Sequence, residues 1–190
     1  MKEFDLKGAL GNGFGKKASK LERSSEKVQC VLYGNGENVH FTVSEVDVLK
    51  LIVNPDVFVV NLDIEGKKCK AIVKEVQFHP VTDKILHIDF FMISEAKPVV
   101  VELPVKLEGL AEGVKAGGRL SLEKRKLKVK GIYTKLPEKV VIDFSSLGLG
   151  KPIQVGSLSF NDFEILNAKN AVVAQVKVTR ASYAAAAGGK

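Results

Sequence analysis

The stretch from Val57 to Val76 constrains the fold most. Two β-prone runs, Val57 to Ile64 and Lys67 to Val76, flank the dipeptide Glu65-Gly66. A two-residue link between such runs closes a β-hairpin, because glycine supplies the positive φ that the tight turn demands. A second pair of runs, Val28 to Tyr33 and Val39 to Val43, is separated by Gly34-Asn-Gly36 and predicts another hairpin. Between the two hairpins, Ser44-Glu-Val-Asp47 has capping-box spacing and predicts a helix through about Val53, ended by Asn54-Pro55. Short strands around one helix favour a small β-barrel or sandwich over any βαβ arrangement.

The stretch Val76 to Phe91 carries the chemistry. It holds two of the three histidines, a turn centred on Pro80, and a strand in which His87, Asp89 and Phe91 alternate with Leu86, Ile88 and Phe90. Side chains two apart in a strand share a face, so His87 and Asp89 point one way while Ile88 and Phe90 point into a core. A rigid element thus presents a polar pair, which suits a binding surface or a site.

The rest of the chain fits around these elements. Residues 3 to 10 read as a short first strand, and Gly11-Asn-Gly-Phe-Gly15 as a loop. Lys16 to Lys27 is basic and serine-rich, and Ser24 and Ser25 weaken helix formation there. It reads as a mobile basic segment with one or two helical turns, able to lie along a phosphate backbone. Around Ser94-Glu-Ala-Lys-Pro98 the pattern changes, which places a domain boundary there, although a proline at a strand start inside a single domain would look the same. Val99 to Leu107 then reads as a strand interrupted by Pro104, and Leu110 to Leu120, with Gly113, Gly117 and Gly118, as a loop. Lys124, Lys126, Lys128 and Lys130 line one face of a strand, in the manner of a solvated, aggregation-resistant surface. Val140 to Phe144, Ile153 to Val155 and Ala171 to Val178 complete a second β-rich block, and Ala184 to Lys190 is a low-complexity tail. The expected division is 1–95, 96–180 and 181–190.

With 190 residues and a formal charge of +7, an anionic partner such as nucleic acid or an anionic membrane is favoured, against simple solubility as the alternative. Cys30 and Cys69 lie in apolar runs without zinc-site spacing and read as buried thiols. No apolar run has the length of a signal peptide or a membrane span, so a cytosolic protein is expected.

Enzymatic patterns fail one by one. His87-Ile-Asp89 supplies two arms of a two-histidine, one-carboxylate iron site, but the third arm must come from His79 or His40, since no histidine follows Asp89. No nucleophile accompanies the His/Asp pair. The glycine loop misses both phosphate-binding patterns, with Leu10 in the first glycine's place of one and Lys16 in the third glycine's place of the other. No catalytic residue, metal or cofactor is therefore expected. Nucleic-acid binding accounts for more residues: lysines and Arg23 can neutralise phosphates, while Tyr33, His79, His87 and Asp89 stack on or hydrogen-bond to bases and sugars. A carboxylate is repelled by phosphate, so Asp89 belongs on such a face only as a base acceptor or as the orienter of His87; the other alternative is a structural His-Asp bond.

The run Gln77-Phe-His-Pro-Val-Thr-Asp-Lys-Ile-Leu-His-Ile-Asp-Phe90, with Gly15-Lys-Lys-Ala-Ser-Lys20 and Val31-Leu-Tyr-Gly34, resembles bacterial large-subunit ribosomal protein twenty-five. Pro104-Val-Lys-Leu-Glu-Gly-Leu-Ala-Glu-Gly-Val-Lys-Ala-Gly-Gly118 and Ser145-Ser-Leu-Gly-Leu-Gly-Lys-Pro-Ile153 resemble the second domain of its long form, the general stress protein CTC family. The resemblance implies a mainly β fold, with an N-terminal six-stranded barrel carrying one or two short helices and then a second β-rich domain. It also implies a non-catalytic role in the cytoplasmic ribosome, binding 5S ribosomal RNA. Contacts would fall on Lys16, Ser19, Lys20, Arg23, Tyr33, Gln77, His79, His87 and Asp89. The second domain would meet neighbouring ribosomal proteins, and the chain would be monomeric off the ribosome. The sequence departs from the family's usual residues at Gly11 (arginine), Glu22 (leucine), Glu26 (glycine), Gln29 (proline) and Phe78 (often basic), so weaker RNA binding is expected. The alternative is a divergent stress-response relative not firmly attached to the ribosome.

Overall fold

The computed structural model describes residues 1–11, 15–34, 36, 38–180 and 183. The interior of the glycine loop and nearly all of the alanine-rich tail lie outside the described residues. Two compact units emerge: Met1–Val99 with Ile132–Thr134, and Val100–Gly131 with Lys135–Lys190.

The first unit runs β1 (Lys2–Leu10), α1 (Lys16–Ser24), β2 (Lys27–Tyr33), β3 (Val39–Ser44), α2 (Glu45–Val53), β4 (Phe58–Ile64), β5 (Lys67–Phe78) and β6 (Ile85–Met92). Its strands close into a barrel in the order β1-β3-β2-β6-β5-β4, with β1 parallel to β4 and β2 parallel to β6. Both expected hairpins form. At the β4–β5 turn Glu65 and Gly66 take φ of 48° and 90°, and the Gly66 N–H donates to Asp63 Oδ1 at 3.0 Å. The expected helix α2 also forms, yet Ser44 gives it no side-chain cap. Its first N–H, that of Glu45, donates instead to the Glu26 carbonyl at 3.0 Å, so a tertiary bond replaces the local one.

Alternate residues of every strand fill the barrel. Leu6, Val28, Cys30, Leu32, Phe41, Val43, Val60, Leu62, Ile88 and Phe90 are all buried, and the Phe41 and Phe90 rings sit 5.7 Å apart. Gly8 makes room for this pair, since a Cβ there would stand 2.6 Å from Phe41 Cδ2. Gly8→Ala should therefore cost about 1–3 kcal/mol through overpacking, read as a lower denaturation midpoint. An unchanged midpoint would mean that Phe41 moves aside freely.

Strict alternation would place Leu86 beside Ile88 and Phe90 in the core, and the structure corrects this. His87 pairs with Gln77 but Ile85 with Phe78, so Leu86 is an extra, unpaired residue, and Ile85 takes the buried position. The bulge resets the period on one side of His87 only.

The second unit contains β7 (Val99–Glu108), α3 (Glu112–Lys115), β8 (Arg119–Leu122), β9 (Lys126–Gly131), β10 (Val140–Asp143), β11 (Pro152–Gln154), β12 (Glu164–Ile165) and β13 (Val172–Lys177). They form a four-stranded sheet β10-β7-β9-β12 and a three-stranded sheet β11-β13-β8. Pro104 does not interrupt β7, because pairing with β10 begins only at Val105, one residue past the missing donor. The expected loop at Leu110 to Leu120 holds the short helix α3 and the start of β8. There Gly113 is buried so tightly that a Cβ would lie 2.7 Å from the backbone of Gly148. On β9, Leu127 and Val129 are buried while Lys126, Lys128 and Lys130 are exposed, with Lys128 3.7 Å from Glu102 and Lys130 paired in register with Glu164. The lysine face is thus partly balanced by neighbouring carboxylates. No helix among the described residues is long and apolar enough to cross a membrane.

Candidate nucleic-acid interface

The two sides of the barrel wall differ in how far their polar groups satisfy one another. On the β1–β4–β5 side, Asn61 Nδ2 donates to Asp5 Oδ1 at 2.8 Å and to Glu3 Oε2 at 3.2 Å, while Lys70 Nζ lies 3.2 Å from Glu3 Oε1. The Asn61 and Lys70 bonds hold the Glu3 carboxyl below the usual carboxylate range. That side is charge-matched within itself.

The β3–β2–β6 side is not. Parallel pairing sets Gln29 beside His87, Val31 beside Asp89 and Tyr33 beside Phe91, and β5 adds Gln77 opposite His87 and Glu75 opposite Asp89. His87 Nδ1 and Asp89 Oδ1 are 2.8 Å apart, with side chains 30% and 29% exposed. A carboxylate can only accept, so the imidazole N–H is on Nδ1 and the Nε2 edge is left for a partner. Tyr33 stands edge-to-face on Phe91 with ring centroids 5.7 Å apart. Its hydroxyl is pushed up from the ordinary value by burial first, then by the charges of Asp89 and Glu75. Tyr33 therefore stays protonated, offering a ring face and a donor.

The basic segment forms a nine-residue helix, α1, longer than the one or two turns expected. Its serines are absorbed locally: Ser19 Oγ donates to the Gly15 carbonyl at 2.9 Å, and Ser24 and Ser25 to that of Leu21 at 2.6 and 3.2 Å. Gln29 Nε2 then donates to Glu22 Oε2 at 2.6 Å and ties the helix to β2. Two of the departures from the family pattern are thus partners of one another. After the helix, Glu26 stands at φ 55°, the left-handed position that glycine usually fills. Glu26→Gly should raise stability by about 1 kcal/mol by relieving that strain; a lower midpoint in urea would show that the side chain makes a compensating contact.

The expected contact residues fall into three groups. Tyr33, Gln77, His87 and Asp89 share the open face. Ser19 joins His87 in lining a crevice with Gln29, His40 and Thr42. Arg23 and His79 lie instead in a second crevice, with Lys27, Thr82 and Lys84. Lys16 and Lys20 are exposed on α1 and make no ion pair with a described residue. Nothing in the sequence announces that Gln29 and Glu75 border this face, because the pairings of β6 with β2 and β5 are not local properties. Lys84 joins Lys27 of the basic segment in the second crevice although the two sit far apart along the chain, a proximity that no local pattern announces. The third arm of an iron site does not converge on His87 and Asp89 among the described residues, where no group of three or more potential ligands gathers. Of the two thiols only Cys30 is fully buried, which pushes it far above its usual pKa; Cys69 is half-buried.

Residues 7–90 match the Ribosomal L25p family, and residues 98–180 match the C-terminal domain of ribosomal protein TL5. Relatives along nearly the whole length carry the name large ribosomal subunit protein bL25. The one from Azobacteroides pseudotrichonymphae is 58% identical over 181 residues, 95% of this chain and 96% of its own. That from Bacteroides thetaiotaomicron is 54% identical with both chains fully covered, and that from Porphyromonas gingivalis is 56% identical with 98% of each covered.

Proposed function

The chain belongs to the ribosomal L25p family in its two-domain form, and from that membership we propose that its barrel binds 5S ribosomal RNA through the β2–β6 face. It is a structural, non-catalytic component of the large subunit of the cytoplasmic ribosome. The observation that carries the RNA proposal is the open face itself, where His87, Asp89 and Tyr33 are held rigidly while their outer edges remain unspent. Base edges in a widened or irregular RNA groove are what such donors and acceptors can read.

Affinity and selection fall to different residues. Lys16, Lys20 and Arg23 on α1 neutralise phosphates, and a helix pinned by the Glu22–Gln29 bond delivers them in fixed register. His87 Nε2 and the free oxygen of Asp89 meet base or sugar groups, with Gln77 alongside and Tyr33 offering a stacking surface. The same proposal divides the chain into an RNA-binding domain at 1–95 and a second domain at 96–180 that faces ribosomal neighbours.

A titration with a 5S RNA fragment at several salt concentrations tests this. Three phosphate contacts predict that log K falls linearly with log salt, by at least roughly 20-fold between about 50 and 200 mM. Salt-indifferent binding, or equal affinity for an unrelated duplex, would refute it. A divergent relative detached from the ribosome is the second reading, favoured by Glu22 and Glu26 near the basic helix. A stoichiometric large-subunit band on sedimentation would rule it out.

A further inference from the structure

We propose that the crevice between the end of α1 and the β5–β6 turn is a seat for a single RNA phosphate, gripped jointly by Arg23, Lys27, Lys84 and His79. The proposal rests on the RNA-binding function above and adds a second anchoring point to it.

The crevice, about 80 Å³ and so roomy enough for several water-sized groups, is lined by polar groups from separate elements. Arg23 comes from the last turn of α1, Lys27 from the first residue of β2, His79 and Thr82 from the turn, and Lys84 from just before β6. None of Arg23, Lys27 and Lys84 is ion-paired with a described residue. One carboxylate, Glu45, also lines the space, leaving the cations in excess. With three cations and one carboxylate the crevice carries a net positive charge, which attracts an arriving oxyanion.

His79 is oriented for the same task. Its Nδ1 accepts from the backbone N–H of Thr82 at 3.2 Å and of Val81 at 3.4 Å, and lies 3.0 Å from Thr82 Oγ1. A ring nitrogen that accepts two N–H groups carries no proton, so the proton is on Nε2 and His79 is a donor even when neutral. The turn is itself held by the His79 N–H bond to the Lys84 carbonyl at 2.8 Å and the Asp83 N–H bond to the His79 carbonyl at 3.0 Å. A phosphate accepts hydrogen bonds on several oxygens at once, which matches a ring N–H, a guanidinium and two ammonium groups.

Placement links this seat to the open face. Gln29 pairs with His87 on parallel strands, and Lys27 lies two residues upstream of Gln29, about 7 Å away at the rise of a parallel strand. An RNA strand whose base meets His87 and Asp89 therefore carries its backbone past the crevice.

The test is the salt slope of 5S RNA binding by the full chain, for wild type, Lys27→Ala, Lys84→Ala and the double variant, with ethylation interference to locate the phosphate. One shared phosphate predicts that the double variant lowers the slope of log K against log salt by about one, no more than a single phosphate contributes. Each single variant should lose less, and the ratio of 5S to unrelated RNA should stay constant. Ethylation of one backbone position should block wild-type binding and cease to matter in the double variant. An unchanged slope, or a loss of about two units, would overturn the shared seat. Wild-type protein that ignores 5S RNA would instead refute the RNA-binding proposal itself. Both lysines lie at the rim rather than in the core, and equal melting temperatures will verify that the variants fold.

Discussion

Asp89→Ala is expected to reduce the preference for 5S RNA over an unrelated duplex by about 1–3 kcal/mol, roughly 5- to 150-fold in the ratio of affinities. Two roles converge on this carboxylate: one oxygen holds His87 at 2.8 Å, and the other is available to a base donor. Replacement by alanine abolishes both, so His87 also loses its fixed orientation. Asp89→Asn separates them, since an amide oxygen still accepts from His87 Nδ1 but the charge is gone. If the carboxylate meets a base amino or imino group directly, both variants lose selectivity; if it only orients His87, asparagine restores it. A loss of affinity equal for every RNA would show that Asp89 is structural, and Lys16→Ala supplies the contrast because a phosphate contact weakens all RNAs alike.

Phe90→Ala is expected to cost about 3–5 kcal/mol, a large share of the 5–15 kcal/mol that holds a typical domain together. The ring is completely buried, packs against Phe41 at 5.7 Å between centroids, and lies on the same strand as Asp89, facing the opposite way. The rigidity that fixes the outer face comes from this inner one. Urea denaturation should show a lower midpoint at unchanged slope. A loss below about 1 kcal/mol would mean that the barrel collapses around the gap.

The polar pair of the candidate face was legible because its residues are close in sequence. The alternation of His87 and Asp89 with Ile88 and Phe90 needs only the two-residue period of a strand. Helix α1 was underestimated because its stabilising contact, Gln29 to Glu22, involves a residue of the next strand, which local propensity does not contain. The same limitation made Glu22 and Gln29 look like two independent losses when they are one pair. Leu86 departs from strict alternation for a related reason: a bulge is a property of two strands, and only the pairing with β5 shows that one residue there is extra.

Local backbone preference and side-chain period, written in the sequence, determined the two hairpins, the outward His87–Asp89 pair and a mainly β architecture. Only the tertiary structure decided which strands became neighbours. Closing the barrel brings β6 alongside β2 in parallel, across more than fifty residues of chain, and an intervening-strand arrangement of that kind has no local signature. That one pairing sets Gln29 beside His87 and Tyr33 beside Phe91, and draws Arg23, Lys27, His79 and Lys84 to one end of the wall. Short-range terms act within a few residues, whereas the convergence of charges depends on how an entire sheet closes.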